Sequence, residues 1–481
     1  MLIDRILALE RVARRLEPSA AVRAAMTDPV LAYGERFLAS LPEGRTYVPE
    51  TDGGASLYAH PIGEEPRAIE DLLGVLTQSV DRAGINCAGP RDFGYIPGGG
   101  IFPAALGDYL ADVTNRYAGV FFANPGAVRM EHLLTRWMAS VVGFPDTAAG
   151  NLTSGGSIAN LIGIVTARDA HAVRSRDVER AVIYATAHAH HSIHKAIRLA
   201  GLGEAVLREV PMDARHRMRV DALDRMIQDD QAAGRRPFLV VASAGTTDVG
   251  AVDPLRAIGD VASQHQLWLH VDGAYGAFFA LCDEGRRALD GMACADSITM
   301  DPHKSLFLPY GSGAVLVKDT AAVYRAHAYT ANYMQDTRQA ADEMSPADLS
   351  PELTKPFRGL RLWLPLQLFG VAPFRAALEE KMLLARHFRQ RLLEIPGFDV
   401  GPEPDLSVVT FRYVPDRGDA DAFNQQLVQA IHADGRVFLS SSVIDGRFIL
   451  RLAVLVFRSH LDDVELTIRI LREKVDALLN S

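Results

Sequence analysis

Between residues 181 and 319, short apolar runs rich in β-branched residues alternate with longer amphipathic stretches. The runs are AVIYAT (181–186), AVLREV (205–210), FLVVASAG (238–245), LWLHVDGA (267–274), SITM (297–300) and GAVLVKD (313–319). Stretches of helical period at 190–201, 220–233 and 253–265 separate several of them. Strand, helix and strand in repetition predict an α/β fold with a mostly parallel sheet covered on both faces, because a parallel crossover needs a helix's length of chain. A second rhythm follows Pro365, with helix-like 373–395, strand-like LSVVTFRYV (406–414), a helix over 419–433, strand-like FILRLAVLV (448–456) and a last helix over 460–479. Ahead of both, Ile6, Leu7, Leu9, Val12 and Ala13 fall at helical spacing, and 71–83 repeats the pattern. The expected division is an N-terminal helical arm (1–87), a large α/β domain (88–365) and a small C-terminal α/β domain (366–481). Such an arm buries little by itself and is expected to pack on something else, often a second subunit.

Composition keeps this picture and narrows the function. With 481 residues, 48% hydrophobic and 23% charged, the chain reads as a soluble globular protein with room for a large core. Its formal charge is -9, and no basic stripe with interleaved aromatics appears, which argues against nucleic acid or an anionic membrane as partner. Cys87, Cys282 and Cys294 show neither a disulfide framework nor thiolate metal spacing. The N-terminal residues carry acids among the apolar positions and do not resemble a signal peptide, and no apolar run approaches membrane-spanning length. A cytoplasmic location is expected.

Three features carry candidate chemistry. GNLTSGGSIANLIG (150–163) is a Gly/Ser turn opening into a helical pattern; it can hold a phosphate on backbone N–H groups, and it can equally be an ordinary cap. It matches neither nucleotide-binding glycine pattern. HVDGAYG (270–276) puts Asp272 at the carboxyl end of an apolar strand, where open α/β sheets gather their ligands, although a capping aspartate is comparably common there. DPHKS (301–305) carries Lys304, either a solvated loop lysine or a nucleophile. Together, a helix-start anion site, a strand-end acid and a lysine are the three parts that pyridoxal phosphate requires.

In these motifs the chain resembles the group II pyridoxal-phosphate decarboxylases, the aromatic amino-acid, histidine and glutamate decarboxylases of the fold-type I superfamily. The likeness runs from FGYIPGG (93–99) through NPGAVRMEHLLTRWM (124–138) to the C-terminal segment, and DPHK with HVDGAYG in this order is its most specific part. The resemblance implies a seven-stranded-type sheet, a homodimer with active sites at the subunit interface, and pyridoxal 5'-phosphate as cofactor. It implies Lys304 as the Schiff-base lysine and His303 as a neighbour touching the phosphate or the region around the lysine. Asp272 corresponds to the acid at the pyridine nitrogen, Ala274 to the small residue on one ring face, and Thr246 to a residue beside the cofactor. Gly155, Gly156 and Ser157 correspond to the phosphate turn. In TAHAHHSIHKA (186–196) the ring-stacking histidine falls on His190, and a shift of one residue exchanges it with His191. Tyr333 stands where the family's mobile loop carries a catalytic tyrosine, whereas relatives that make aldehydes are expected to carry phenylalanine.

The implied reaction is decarboxylation of an L-amino acid to the amine and CO2. Ser305, Ile158 and Asp301 depart from the aromatic amino-acid decarboxylases, which often have tryptophan, glutamate and asparagine there. YIPGGG (95–100) lacks their threonine, so substrate identity is the open point. Tyr95, Pro97 and Phe121, with Tyr117 and Phe122 nearby, are the expected substrate-side residues and suit an aromatic or bulky side chain; such residues could equally be interface core. An aldehyde synthase or another fold-type I lyase is the alternative, a cofactor-binding scaffold the third reading. A metal enzyme is disfavoured, because the histidines at 188–194 have no HExxH and no acid at ligand spacing.

Overall fold

A computed structural model describes residues 1–49, 54–329 and 343–480. In chain order the strands are β1 (Tyr47–Val48), β2 (Gly84–Ile85), β3 (Ala149–Thr153), β4 (Ala181–Ala185), β5 (Val206–Glu209), β6 (Arg236–Ser243), β7 (Trp268–Asp272), β8 (Ser297–Met300) and β9 (Gly313–Val317). They are followed by β10 (Phe398–Val400), β11 (Val408–Tyr413), β12 (Ser440–Ile444) and β13 (Arg447–Ala453). The main sheet has seven strands in the order β3-β9-β8-β7-β6-β4-β5. All of them run one way except β9, which is antiparallel to both neighbours. This is the mostly parallel sheet that the alternating pattern predicts.

The near-continuous apolar strands follow from burial of both sheet faces. Successive side chains point to opposite sides, so in β6 Val240 and Ala242 enter one core while Leu239 and Val241 enter the other. In β9, Ala314 and Leu316 divide from Val315 and Val317 in the same way. The smaller sheet is antiparallel, ordered β10-β11-β13-β12. With helices Ala372–Leu393, Ala420–Asp434 and Leu461–Leu479 it closes a core of its own around Phe388, Phe411, Leu427 and Leu471.

The helices Leu2–Ala13, Ala20–Ser40 and Ile69–Ser79 contain no buried residue. Helix Phe102–Thr114 likewise leaves Phe102, Leu106, Tyr109, Leu110 and Val113 exposed along one stripe. Among the described residues, no helix is long and apolar enough to cross a membrane. None of the three cysteines is paired.

What the sheet positions is its carboxyl edge. The chain leaves β3 at Thr153, β4 at Ala185, β6 at Ser243, β7 at Asp272 and β8 at Met300, all at one edge, and β9 begins there at Gly313.

Candidate active site

The segments leaving that edge enclose a cavity of about 500 Å3. The candidate residues Gly155, Gly156, Ser157, His190, Thr246, Asp272, Ala274, His303 and Lys304 all line it. They are distributed over more than a hundred positions of sequence and meet because their strands are neighbours.

The lysine sits on a tight connection. After β8 the chain makes one helical turn, Pro302–Ser305, with Pro302 at the first position, where its fixed φ suits the turn and no N–H is needed. Lys304 Nζ lies 3.2 Å from Asp301 Oδ2, and its side chain is 22% exposed, so the amine faces the cavity next to a buried carboxylate. His303 donates from Nδ1 to the Ser312 carbonyl at 2.5 Å, which directs Nε2 toward Asp301, 3.9 Å away. Burial pushes the His303 pKa below that of a free imidazole, with Asp301 opposing.

Where β3 ends, Gly155 begins helix Gly156–Ala170 and no side chain caps it. The Ile158 and Ala159 amides bond back to the Gly155 carbonyl, so the Gly156 and Ser157 amides precede the first bonds of the helix. An uncapped helix start on a cavity wall attracts an anion. Glycine is needed at position 156, since a Cβ there would stand 2.9 Å from Asp301 Oδ2.

Asp272 closes β7 with its carboxylate buried. Oδ1 accepts from the Ala274 amide at 3.1 Å, and Oδ2 accepts from Asn160 Nδ2 at 3.0 Å. Thr246 is held by its own turn, its hydroxyl accepting from the Ala251 amide at 3.1 Å. His190 caps helix His191–Leu199, with Nδ1 2.8 Å from Ser192 Oγ. His190 faces the cavity whereas His191 is exposed. Burial lowers the His190 pKa most strongly, Asp272 pulls it back up, and His191 and Lys304 lower it further.

Two buried polar atoms on this wall, His188 Nδ1 and Asp301 Oδ1, have no hydrogen-bond partner among the described residues. Buried polar atoms left in that state point to a bound group that completes them. Among the described residues no cluster of His, Cys, Asp or Glu could hold a metal ion.

The substrate-side expectation fares differently. Tyr95, Pro97 and Phe121 do not line the cavity. Tyr95 is exposed with its ring 6.1 Å from that of Phe438, Pro97 is buried, and Phe121 is buried beneath the Arg129 guanidinium. Tyr310 and Gly311 line the cavity along with Lys304. Tyr333 lies outside the described residues. Sequence reasoning also passed over His188, Asn160 and Ser192, which line the cavity too. For Asn160 a signal was present, a lone amide within the apolar stripe of SIANLIG.

One pH effect follows from His270, the middle residue of β7. Burial pushes its pKa down to about 4. A histidine held neutral in the fold but protonated in the unfolded chain makes stability fall as pH drops below the free value, about 6.5. Unfolding free energies from urea titrations at pH 7 and pH 5 should therefore differ by roughly 2 kcal/mol more in the wild type than in His270→Gln.

Comparison with known proteins gives a consistent picture. Residues 57–414 match the model of the pyridoxal-dependent decarboxylase conserved domain. The chain is 33% identical over 395 residues to an aromatic-L-amino-acid decarboxylase of Bacillus atrophaeus, covering 81% of each chain. It is 26% identical over 431 residues to a phenylacetaldehyde synthase of Arabidopsis thaliana, covering 87% of this chain and 88% of the other. Among solved structures it is similar to Oryza sativa TDC with PLP and tryptamine, at a TM-score of 0.91 and 26% identity, covering 96% of this chain and 99% of that one.

Proposed function

Since the chain belongs to the pyridoxal-dependent decarboxylases, an enzyme family that uses pyridoxal phosphate, we propose that it removes CO2 from an aromatic L-amino acid at the cavity holding Lys304. The observation that carries this reading is the meeting of an amine (Lys304), a buried carboxylate (Asp272) and an uncapped helix start (Gly155 to Ser157) on one cavity wall. These residues fit the cofactor: the helix start takes its phosphate, Asp272 its ring nitrogen and Lys304 its aldehyde carbon. The two unpartnered atoms, His188 Nδ1 and Asp301 Oδ1, leave polar capacity for a bound molecule. When bound, pyridoxal phosphate supplies the electron sink for the pair left on the substrate's Cα as CO2 departs.

The remaining steps belong to the protein. His190 and Ala274 line the cavity and would hold the cofactor's ring between them, restricting how a bound substrate is oriented. The Asp272 carboxylate, shielded from water, favours a proton on the nitrogen it faces. His303 holds the lysine turn through Ser312. Lys304 exchanges a proton with its surroundings through Asp301, 3.2 Å away. Tyr333 delivers the proton to Cα; the support is its place in the sequence motif. Replacing it, Tyr333→Phe, should lower amine formation by about 10²–10⁴-fold and raise aldehyde and hydrogen peroxide, measured by chromatography and a peroxidase assay.

Gly98, in the segment YIPGGG, packs on the lysine turn. A Cβ there would collide with the His303 carbonyl and lie 2.8 Å from that of Lys304. Because both contacts are backbone, Gly98→Ala should weaken pyridoxal phosphate binding by about tenfold or more, read by fluorescence titration.

We also infer a homodimer working in the cytoplasm, with the three-part division at 87 and 365. Support comes from the three N-terminal helices that bury nothing, the exposed stripe on Phe102–Thr114, and the separate core of the smaller sheet. A second copy is the natural source of the apolar wall that Tyr95 and Phe121 do not provide within one chain. Incubating the loaded protein with tryptophan, tyrosine, phenylalanine and DOPA, then measuring CO2, amine and aldehyde, tests the proposal. Amine and CO2 in equal amounts are expected. Aldehyde as the main product would favour the synthase reading, and no CO2 from any amino acid would overturn both.

A further inference from the structure

From the cavity wall at Asn160 and Ser192, a row of polar side chains runs inward between helix Gly156–Ala170 and strands β7 and β8. Trp268, His270, Ser297, Thr299, Asn160 and Ser192 are all buried. Polar groups at that depth are costly unless each donor meets an acceptor. Helix and strand come close enough to do this because residue 163 is glycine; a Cβ there would stand 2.6 Å from the His270 ring.

The chemistry of the groups allows one direction for the row. An indole N–H can only donate, and Trp268 Nε1 donates to Ser297 Oγ at 2.8 Å. Ser297 then directs its hydroxyl proton to His270 Nδ1 at 2.8 Å. The neutral ring keeps its proton on Nε2 and donates to Asn160 Oδ1 at 2.9 Å, and that oxygen also accepts from Thr299 Oγ1 at 2.6 Å. With its oxygen so engaged, the Asn160 amide is held in one orientation. Its two hydrogens go to Asp272 Oδ2 at 3.0 Å and Ser192 Oγ at 2.9 Å. Ser192 has one proton left, and His190 Nδ1 stands 2.8 Å away. The Ser192 amide also donates to that nitrogen at 3.3 Å. The row therefore starts on a pure donor and ends on two acceptors, Asp272 and His190.

We infer that Asn160 is a positioning residue of the active site: held by the row behind it, it gives one N–H to Asp272 and, through Ser192, keeps the His190 ring with Nδ1 as acceptor and its proton on Nε2. The inference rests on the reading of Asp272 and His190 given above. It ties the group at the ring nitrogen to the group on the ring face through a single side chain. Asn160→Asp keeps the shape but replaces the donor by oxygen beside Asp272. Two carboxylates that close cannot both stay ionised, so the anion at the ring nitrogen is weakened. Ser192→Ala frees only His190, which then gains a proton more easily.

Neutron diffraction from crystals of the deuterated holoenzyme reads the row directly. The expected result is hydrogen on Nε2 and none on Nδ1 at both His190 and His270, with the Asn160 nitrogen toward Asp272. Hydrogen on either Nδ1, or an inverted amide, overturns the inference whatever the variants do. In solution, Asn160→Asp should lower kcat about tenfold or more with KM little changed and alter the visible absorbance of the bound cofactor. Ser192→Ala should move the acid limb of the kcat profile to higher pH and leave that absorbance in place. Wild-type kcat and absorbance in Asn160→Asp would also sink the inference. Borohydride labelling of Lys304 in the same wild-type preparation separates the cases: no label there means the functional reading has failed, while the hydrogen positions still judge the row.

Discussion

Lys304→Ala should yield a folded chain whose turnover is lower by at least about 10⁴-fold, and Lys304→Arg should not restore it. Among the described residues Lys304 is the only lysine lining the cavity, so no second amine can take its place. Guanidinium is a poor substitute because it stays protonated and cannot attack a carbonyl. The side chain is partly exposed and makes one ion pair, with Asp301. Its loss creates no cavity in the core but leaves the buried Asp301 carboxylate without its cation, so the unfolding free energy from urea titration should fall by about 1–3 kcal/mol. Three measurements check this together: amine formation, the visible absorbance of bound pyridoxal phosphate, and peptide mapping after borohydride. Wild-type peptides should carry a pyridoxyl group at position 304 and variant peptides none. A variant that keeps turnover would remove the basis of the proposed function.

The largest effect on stability is expected at Lys355, which has no contact with the cavity. Its side chain is fully buried, with Nζ 2.5 Å from Glu131 Oε1, 3.1 Å from Asn151 Oδ1 and 3.3 Å from the Leu152 carbonyl. Glu131 also accepts from the Leu152 amide at 3.0 Å. One ammonium thus fastens helix Pro125–Val142, the edge strand β3 and the segment leading to helix Gly359–Phe369. Burial lowers the Lys355 pKa and Glu131 resists that shift. Removing one partner strands the other charge, so Lys355→Met should cost about 3–5 kcal/mol in urea unfolding. Lys355→Met with Glu131→Gln should recover much of this, because no lone charge remains. Since β3 leads directly into Gly155, the single variant should also bind pyridoxal phosphate more weakly at temperatures where it is still folded.

How far the sequence foretold this structure depended on how strongly each segment declared its period. Six strands of the main sheet were legible as apolar runs, β4 and β6 to β9 because both sheet faces are buried there and the edge strand β5 by its β-branched start, and SITM coincides with β8 to the residue. Strand β3, AGNLT, escaped notice: it has one large apolar residue and is held by Lys355 and Glu131 rather than by β propensity. SSSVI, now β12, was silent for a similar reason, as an edge strand with three serines. Asp272, Ala274, His303 and Lys304 were legible through the family resemblance that DPHK and HVDGAYG carry, and all four line the cavity. Asn160, Ser192 and Thr299 were not, since their role depends on contacts between a helix and strands far apart in sequence. Tyr95 and Phe121 are placed on the substrate side by their position in YIPGGG and NRYAGVFFANP, and within one chain they stand outside the cavity lining.

The sheet gathers its chemistry at one edge, and this divides the molecule into an exacting end and a permissive one. The turns at 201–205, 233–235 and 265–267 enter their strands from the far side, a full strand length from Lys304. Tags or fluorophore-bearing cysteines at the exposed positions Glu204, Arg235 and Gln266 of these turns should leave catalysis untouched, whereas Leu202 and Leu267 beside them are core, so the exposed positions are the natural handles for immobilising or labelling the enzyme.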